Sequence, residues 1–529
     1  MFHWYSSSFI SKIKPSGLLL NFNNANIGYF LLFCSLLLGL VTLKWGIFLD
    51  EADNLVVGSF IAKGSLLYKD LFSHHFPLPY FWAAFIISIF GKSLFFIRSS
   101  ILLFQILVFG ISMKISKLFI QIGLLSFSWS LIRILYKGNL LLYSTLSALA
   151  VFGIFIITFN IISKSGNKNS NIAIFSIFSF IAFLSDPLTI YPIAISILFI
   201  FISSMEIGIK TVSVLAVFSI ILIFSFFLLG ILEPFIEYAF YFNINIYAKY
   251  SYTNPIRLLD FFKNAFFGLG IFQKQWWNLN FFQLFSEDYR QLDSWFFTGG
   301  LYRLSVLTTT IILLIKKNYK LGFYIYTFSC ATLVIKQWEF RSQSFVIFSI
   351  FLLFFGFSEI SKCKDESKRL TFRIFFRVSN IILITSLMWL ILRVSIHLKD
   401  NFGQQNYRIQ LASTGEKVKM IENLSCNYEN VKLGYFPSGL YMYWLSDFKP
   451  VSKHLFLWPW NAEIGLFGLI EDLNQKNINA IIVMENTVIW GLFDTKDYLK
   501  PLDDFLTQNY IVIQDNIYLS PSLYETCYP

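Results

Sequence analysis

The chain has 529 residues, 56% hydrophobic and 14% charged, with 63 phenylalanines and a net charge of +11. Apolar runs close to the ~20 residues that cross a ~30 Å hydrocarbon core recur along it, which sets the class as a polytopic helical membrane protein. Backbone groups in lipid must be satisfied within each segment, so open sheets are excluded from the membrane part. The basic balance does not point to nucleic acid. In a membrane chain, Lys and Arg gather in cytoplasmic loops, and contact with anionic lipid is the lesser alternative.

In chain order, residues 1–26 carry no short apolar region with a small-residue cleavage site and read as a retained tail. Spans are expected near 28–48, 94–113, 118–135, 139–162, 172–185, 187–204, 211–232, 298–315, 321–336, 342–360 and 374–396. This gives about eleven spans, and up to about 13 if short stretches such as 79–91 cross; that stretch is read as interfacial or dipping. Lys114 and Lys117, then Lys164 and Lys168, then Lys316, Lys317 and Lys320, then Lys362, Lys364, Lys368, Arg369 and Arg373 recur between later spans. Placing these loops inside puts the N-terminus in the cytoplasm and the C-terminus outside.

Three segments then face the far side: the first loop 49–78, the segment 233–297, and everything after about 398. The second is aromatic and amphipathic, with Glu233, Glu237, Lys249 and the pair Trp276-Trp277, as suits helices lying in the interface. The third changes character. Residues 405–424 are polar and helix-compatible, Val431–Phe436 and Ala480–Met484 read as buried strands, and 462–477 and 497–508 read as helices. Tyr510–Gln514 and Ile517–Ser520 flank Asp515-Asn516 as a hairpin. The expected architecture is therefore a mainly α transmembrane bundle, 1–397, with a small extracytoplasmic α/β domain, 398–529. Cys426 and Cys527 both fall in that domain, where a disulfide and two free thiols are equal alternatives. No CxxC occurs.

Ionisable chemistry concentrates in the first loop. Asp50, Glu51 and Asp53 follow the first span, and Lys69, Asp70, His74 and His75 follow within the same loop. A carboxylate at the junction of lipid and water has a raised pKa and becomes a competent proton acceptor, although acids at a span's end can also be solvated caps. On a helix, Asp50 shares a face with Asp53 and Asn54 while Glu51 points elsewhere. Adjacent histidines cannot both face one ion from a helix, so a divalent metal remains an open but weak reading. Further cations for a phosphate are Arg98, Arg303 and Arg341, the last in Lys336-Gln-Trp338-Glu339-Phe-Arg341 between two late spans. Snorkelling beside Glu339 is the equal alternative for Arg341. Asp186-Pro187 reads as a turn between spans rather than as part of a site.

The ordered elements Leu49-Asp50-Glu51-Ala-Asp53, Gly64-(x3)-Tyr68-Lys69-Asp70, His75-Phe-Pro77-Leu-Pro79-Tyr80 and Phe90-Gly91-Lys-Ser93-(x4)-Arg98 carry a resemblance. Over about residues 45–98 the chain resembles the N-terminal signature of GT-C glycosyltransferases, in the branch of the protein O-mannosyltransferases and the lipid A aminoarabinose transferase. The resemblance implies transfer of a sugar from a polyprenyl-phosphate carrier to a lipid, protein or polysaccharide acceptor at the outer face, with inversion. It implies Asp50 as catalytic base, with Glu51 completing the Asp-Glu pair. Asp53, Lys69, Asp70, His74, His75, Arg98, Arg303 and Arg341 are then the substrate-binding candidates. A bacterial inner membrane is the expected location. Neither a P-loop nor a dinucleotide fingerprint is present, consistent with a lipid-linked rather than a nucleotide donor. The competing classes are a flippase or transporter for a lipid-linked glycan, and a polysaccharide polymerase or ligase, which would put its essential residues in 233–297.

Overall fold

A computed structural model describes residues 23–163, 168–250, 300–332, 341, 343–361, 406–426, 430–475, 478–514 and 516–528, with scattered positions between 374 and 395. Most of the expected span 374–396 and most of the segment 233–297 lie outside the described residues.

The first helix, α1 (Asn24–Thr42), starts on Asn23, whose side chain accepts from the Asn26 amide at 2.9 Å, a conventional N-cap. It ends at Thr42, earlier than the expected 48. The first loop is not all loop: its first half is a second helix, α2 (Leu49–Ala62). Next come α3 (Leu78–Phe90), α4 (Leu94–Ser116), α5 (Phe119–Ile132), α6 (Tyr143–Ser163), α7 (Lys168–Ser185), α8 (Ile190–Ser203) and α9 (Met205–Leu228). A π-helical segment, Ile236–Tyr247, follows α9. The later helices are α10 (Gly300–Ile315), α11 (Tyr319–Thr332) and α12 (Gln343–Ser361).

Among the described residues, five helices are long and apolar enough to cross a membrane: Asn24–Thr42, Leu94–Ser116, Phe119–Tyr136, Tyr143–Ser163 and Met205–Leu228. The remaining apolar helices, including Leu78–Phe90 and Gln343–Glu359, are shorter. Helix α6 is apolar all round and packs against α4, α7, α8 and α12, so it is the core of the bundle. Helix α9 is equally apolar but almost wholly exposed, as a lipid-facing helix is. Glycines let α1 and α5 touch: a Cβ on Gly28 would lie 2.6 Å from the Phe119 carbonyl oxygen.

The C-terminal region forms a five-stranded sheet, in the order β2-β1-β3-β7-β6. Its strands are β1 (Lys432–Phe436), β2 (Lys449–Pro450), β3 (Ala480–Met484), β6 (Ile511–Gln514) and β7 (Ile517–Leu519). β1 runs parallel to β2 and β3, while β7 is antiparallel to β3 and β6. The expected strands and the hairpin around Asp515-Asn516 are all in place, and α13 (Pro459–Gln475) covers the expected helix. A second hairpin, β4 (Val488–Ile489) with β5 (Phe493–Asp494), was not expected. Of the two alternatives for Cys426 and Cys527, the disulfide holds: the two are bonded to each other.

This unit is pinned to the first-loop region. The Phe72 amide donates to the Lys453 carbonyl at 2.9 Å. The Tyr441 hydroxyl accepts from the Phe48 amide and donates to the Phe48 carbonyl, both at 2.9 Å. Lys63 and Lys92 converge on Asp447 at 3.0 and 3.3 Å.

Candidate active site

The site begins at the N-terminus of α2. Phe48 is extended (φ −150°, ψ 142°) and offers no side-chain cap, so the first turn carries Asp50 and Glu51 against the positive end of the helix dipole. Glu51 points into the protein. Its carboxylate takes two hydrogen bonds from Arg98, at 2.9 Å from Nε and 2.5 Å from Nη2, with both side chains fully buried. Arg98 spends its other donors on the carbonyls of Leu43, Trp45 and Gly46. Glu51 and Arg98, expected as catalytic acid and phosphate binder, are thus bound to each other, and the pair ties the end of α1 to α2 and α4. Asp50, one residue earlier on another face, remains partly exposed.

One turn along, Asp53 is buried and accepts from the Tyr80 hydroxyl at 2.5 Å. Tyr80 in turn bonds Ser73 Oγ at 2.6 Å, and Ser73 accepts from the His75 amide at 3.1 Å. The second oxygen of Asp53 is enclosed without a hydrogen-bond partner. Burial, opposed by the Tyr80 hydrogen bond and assisted by the charge of Asp50, lifts the Asp53 carboxyl to about 7. Asn54 does not reach the site; it donates to the Leu141 carbonyl at 2.8 Å.

The charge of Arg341 acts on Asp50. Its guanidinium lies 5.5 Å from the ring centroid of Tyr143 and hydrogen-bonds Tyr247. Burial alone would weaken its charge, but Tyr143, Tyr247, Asp186 and Asp50 outweigh that and hold it protonated. Burial raises the Asp50 carboxyl, and Arg341 and Lys137 pull it back. Lys137 lies 3.4 Å over the ring of Phe48, at the base of the same turn. Burial also raises Asp186, moderated by its hydrogen bond from the Leu188 amide and by Arg341.

The two histidines complete the wall. Their rings are 4.1 Å apart, and His75 stacks on Tyr143 at 5.4 Å and 23°. His74 is buried with Nδ1 enclosed and unpartnered, and its carbonyl accepts from Asn243 of the π-helix at 2.6 Å. Burial and the Arg341 charge keep both imidazoles neutral, that of His75 down to about 3. Neutral rings beside Arg341 add no positive charge to compete with it for an anion.

The structure thus brings together Asp50, Arg341, His74 and His75, with Asp53 one turn behind. It does not bring Lys69 or Asp70 to them: both are exposed, and Asp70 closes its own loop by accepting from the Leu66 amide at 2.7 Å. Arg303 lies on α10, with its side chain outside the described residues. Glu339 lies outside them as well. Asp186 caps the turn Pro187–Thr189 between α7 and α8, as expected, and is also within reach of the Arg341 charge; sequence reasoning did not single out Tyr143 or Tyr247. Asp186 was visible as an acid interrupting an apolar run, whereas the two tyrosines carried no local signal. Among the described residues, no three His, Cys, Asp or Glu side chains converge to hold a metal ion. No family model matches the chain, and no curated protein matches its sequence.

Proposed function

We propose that the protein is an integral-membrane glycosyltransferase of GT-C type, which moves a sugar from a polyprenyl-phosphate carrier to an acceptor at the outer membrane face. The observation that carries this reading is the electrostatic coupling of a partly exposed Asp50, whose pKa burial raises, to a partly exposed Arg341 that stays charged. In this chemistry the acceptor hydroxyl or amine gives its proton to Asp50 as its oxygen or nitrogen bonds to the sugar C1. The bond from C1 to the phosphate oxygen breaks, and the carrier phosphate leaves with its charge against Arg341. A single displacement of this kind inverts the anomeric centre. The long apolar helices give a lipid-linked donor direct access from the bilayer. A bacterial inner membrane, with the N-terminus in the cytoplasm and the site outside, fits the distribution of basic loops.

The test compares wild type with Asp50→Asn in nanodiscs, offered polyprenyl-phosphate sugars and membrane extract, with carrier binding measured in parallel. Transfer by wild type and its loss in a carrier-binding variant is the expected outcome. Undiminished transfer by the variant overturns Asp50 as base. Carrier binding without transfer by wild type, together with movement of the carrier between leaflets, would make the protein a flippase.

A further inference from the structure

The connection between α1 and α2 is held from two sides. From the membrane bundle, Arg98 and Asn139 both donate to the Trp45 carbonyl, at 3.1 and 2.7 Å. From the C-terminal unit, the Tyr407 amide donates to the Lys44 carbonyl at 3.1 Å, and Asn406 bridges antiparallel to Trp45. The last contact falls on Phe48, the residue that precedes α2. Phenylalanine is a poor N-cap, having no side-chain oxygen to accept from the free amides of the first turn. What Phe48 has instead is the Tyr441 hydroxyl, 393 residues along the chain, which meets both its N–H and its C=O at 2.9 Å. The same carbonyl takes the first helical bond, from the Ala52 amide at 3.0 Å.

One hydroxyl serves both groups only because Phe48 is extended (φ −150°, ψ 142°), which points the N–H and C=O of a single residue to the same side. Were Phe48 helical, the two would point in opposite directions along the axis and α2 would start earlier. The bridge therefore fixes where α2 begins, and with it the direction in which Asp50, the second residue of the helix, leaves the backbone. We propose that Tyr441 is a positioning residue: its hydroxyl holds the turn that presents Asp50, so that the C-terminal unit completes the candidate active site. What Asp50 then does rests on the glycosyltransferase reading above; the clamp on Phe48 does not. Local sequence places the hydroxyl. β1 ends at Phe436, Pro437-Ser438-Gly439 turns the chain, and the helix Leu440–Leu445 packs along α2, with Tyr443 edge-on to Phe60 at 6.4 Å. Glycine is required at 439, because a Cβ there would lie 2.4 Å from that of Tyr435. Docking of the unit does not depend on the hydroxyl, since the Phe72–Lys453 bond and the two Asp447 ion pairs hold it elsewhere.

The experiment measures residue-resolved hydrogen exchange on the full-length protein in nanodiscs, alongside steady-state transfer from polyprenyl-phosphate sugars to membrane extract. Tyr441→Phe keeps the ring and removes the hydroxyl. It should speed exchange of the Phe48 amide about tenfold, while the Phe72 amide, which reports docking, stays as protected as in wild type. It should also lower kcat by about ten- to hundredfold and leave KM for the carrier unchanged, because the base is misaimed and the phosphate partner untouched. Asp447→Asn, which loosens docking without touching Phe48, should leave kcat and Phe48 protection at wild-type values. Unchanged Phe48 exchange in Tyr441→Phe overturns the inference, as does an unchanged kcat. Loss of Phe72 protection together with kcat overturns it too, since the hydroxyl would then only hold the unit in place. If wild type transfers nothing, the glycosyltransferase reading falls, while exchange of the Phe48 amide still decides the clamp.

Discussion

Glu51 and Arg98 form a fully buried bidentate ion pair, 2.5 Å at its closest, at the point where α1, α2 and α4 meet. Because neither side chain reaches solvent, removing one leaves the other as an uncompensated buried charge. Glu51→Gln or Arg98→Met alone should cost about 3–5 kcal/mol of stability, whereas the double substitution should recover much of it. Thermal unfolding of the three variants in nanodiscs measures this. A single variant as stable as wild type would mean that the pair is not structural.

Arg341 bears on catalysis through Asp50. Its charge is the largest influence opposing the effect of burial on that carboxyl. Arg341→Gln should therefore let the Asp50 pKa rise further, so that the acid limb of the pH–rate profile moves to higher pH. The same substitution should weaken carrier binding by removing the phosphate partner. An unmoved acid limb, measured on residual transfer, would separate Arg341 from Asp50.

Asp53 makes stability depend on pH. Its folded pKa of about 7 lies above the ordinary 3.8, so the folded state favours the protonated form. The stability this contributes is complete below about pH 3.8 and is lost as pH rises through about 7, on the order of a few kcal/mol. Asp53→Asn keeps the hydrogen bond from Tyr80 and should flatten that slope. Unfolding followed between about pH 4 and pH 8 reads the difference, and an identical slope in both proteins would refute the assignment.

The Cys426–Cys527 bond closes a loop with a sequence separation of 101, joining the helix Ala412–Leu424 to the helix Pro521–Cys527. Cys426→Ser should destabilise the C-terminal unit by about 2–4 kcal/mol, with the transmembrane helices unaffected. Proteolysis of the variant should then cut first between 406 and 528. Equal resistance to protease in variant and wild type would argue against the bond in solution.

The sequence by itself determined what depends on neighbours along the chain. Apolar run length located α4, α6, α9 and the other bundle helices, and alternation and turn residues located β1, β3 and the β6–β7 hairpin. The loop that turned out to hold Asp50, Asp53, His74 and His75 was legible because acids and imidazoles are rare beside a greasy helix. What only the tertiary structure decided is which charge meets which. Glu51 binds Arg98, 47 residues away, while Asp50 feels the charge of Arg341, nearly 300 residues along the chain. Helix phase gives adjacent acids different faces, but the partner on each face is set by how separate helices pack. Asp186 is the turn residue its sequence suggests, its side chain accepting from the Leu188 amide, but the influence of the Arg341 charge on it comes from a distant part of the chain. Tertiary structure equally decided Trp490, whose exposure and stacking on Trp460 arise from a hairpin too short to leave a periodic signal.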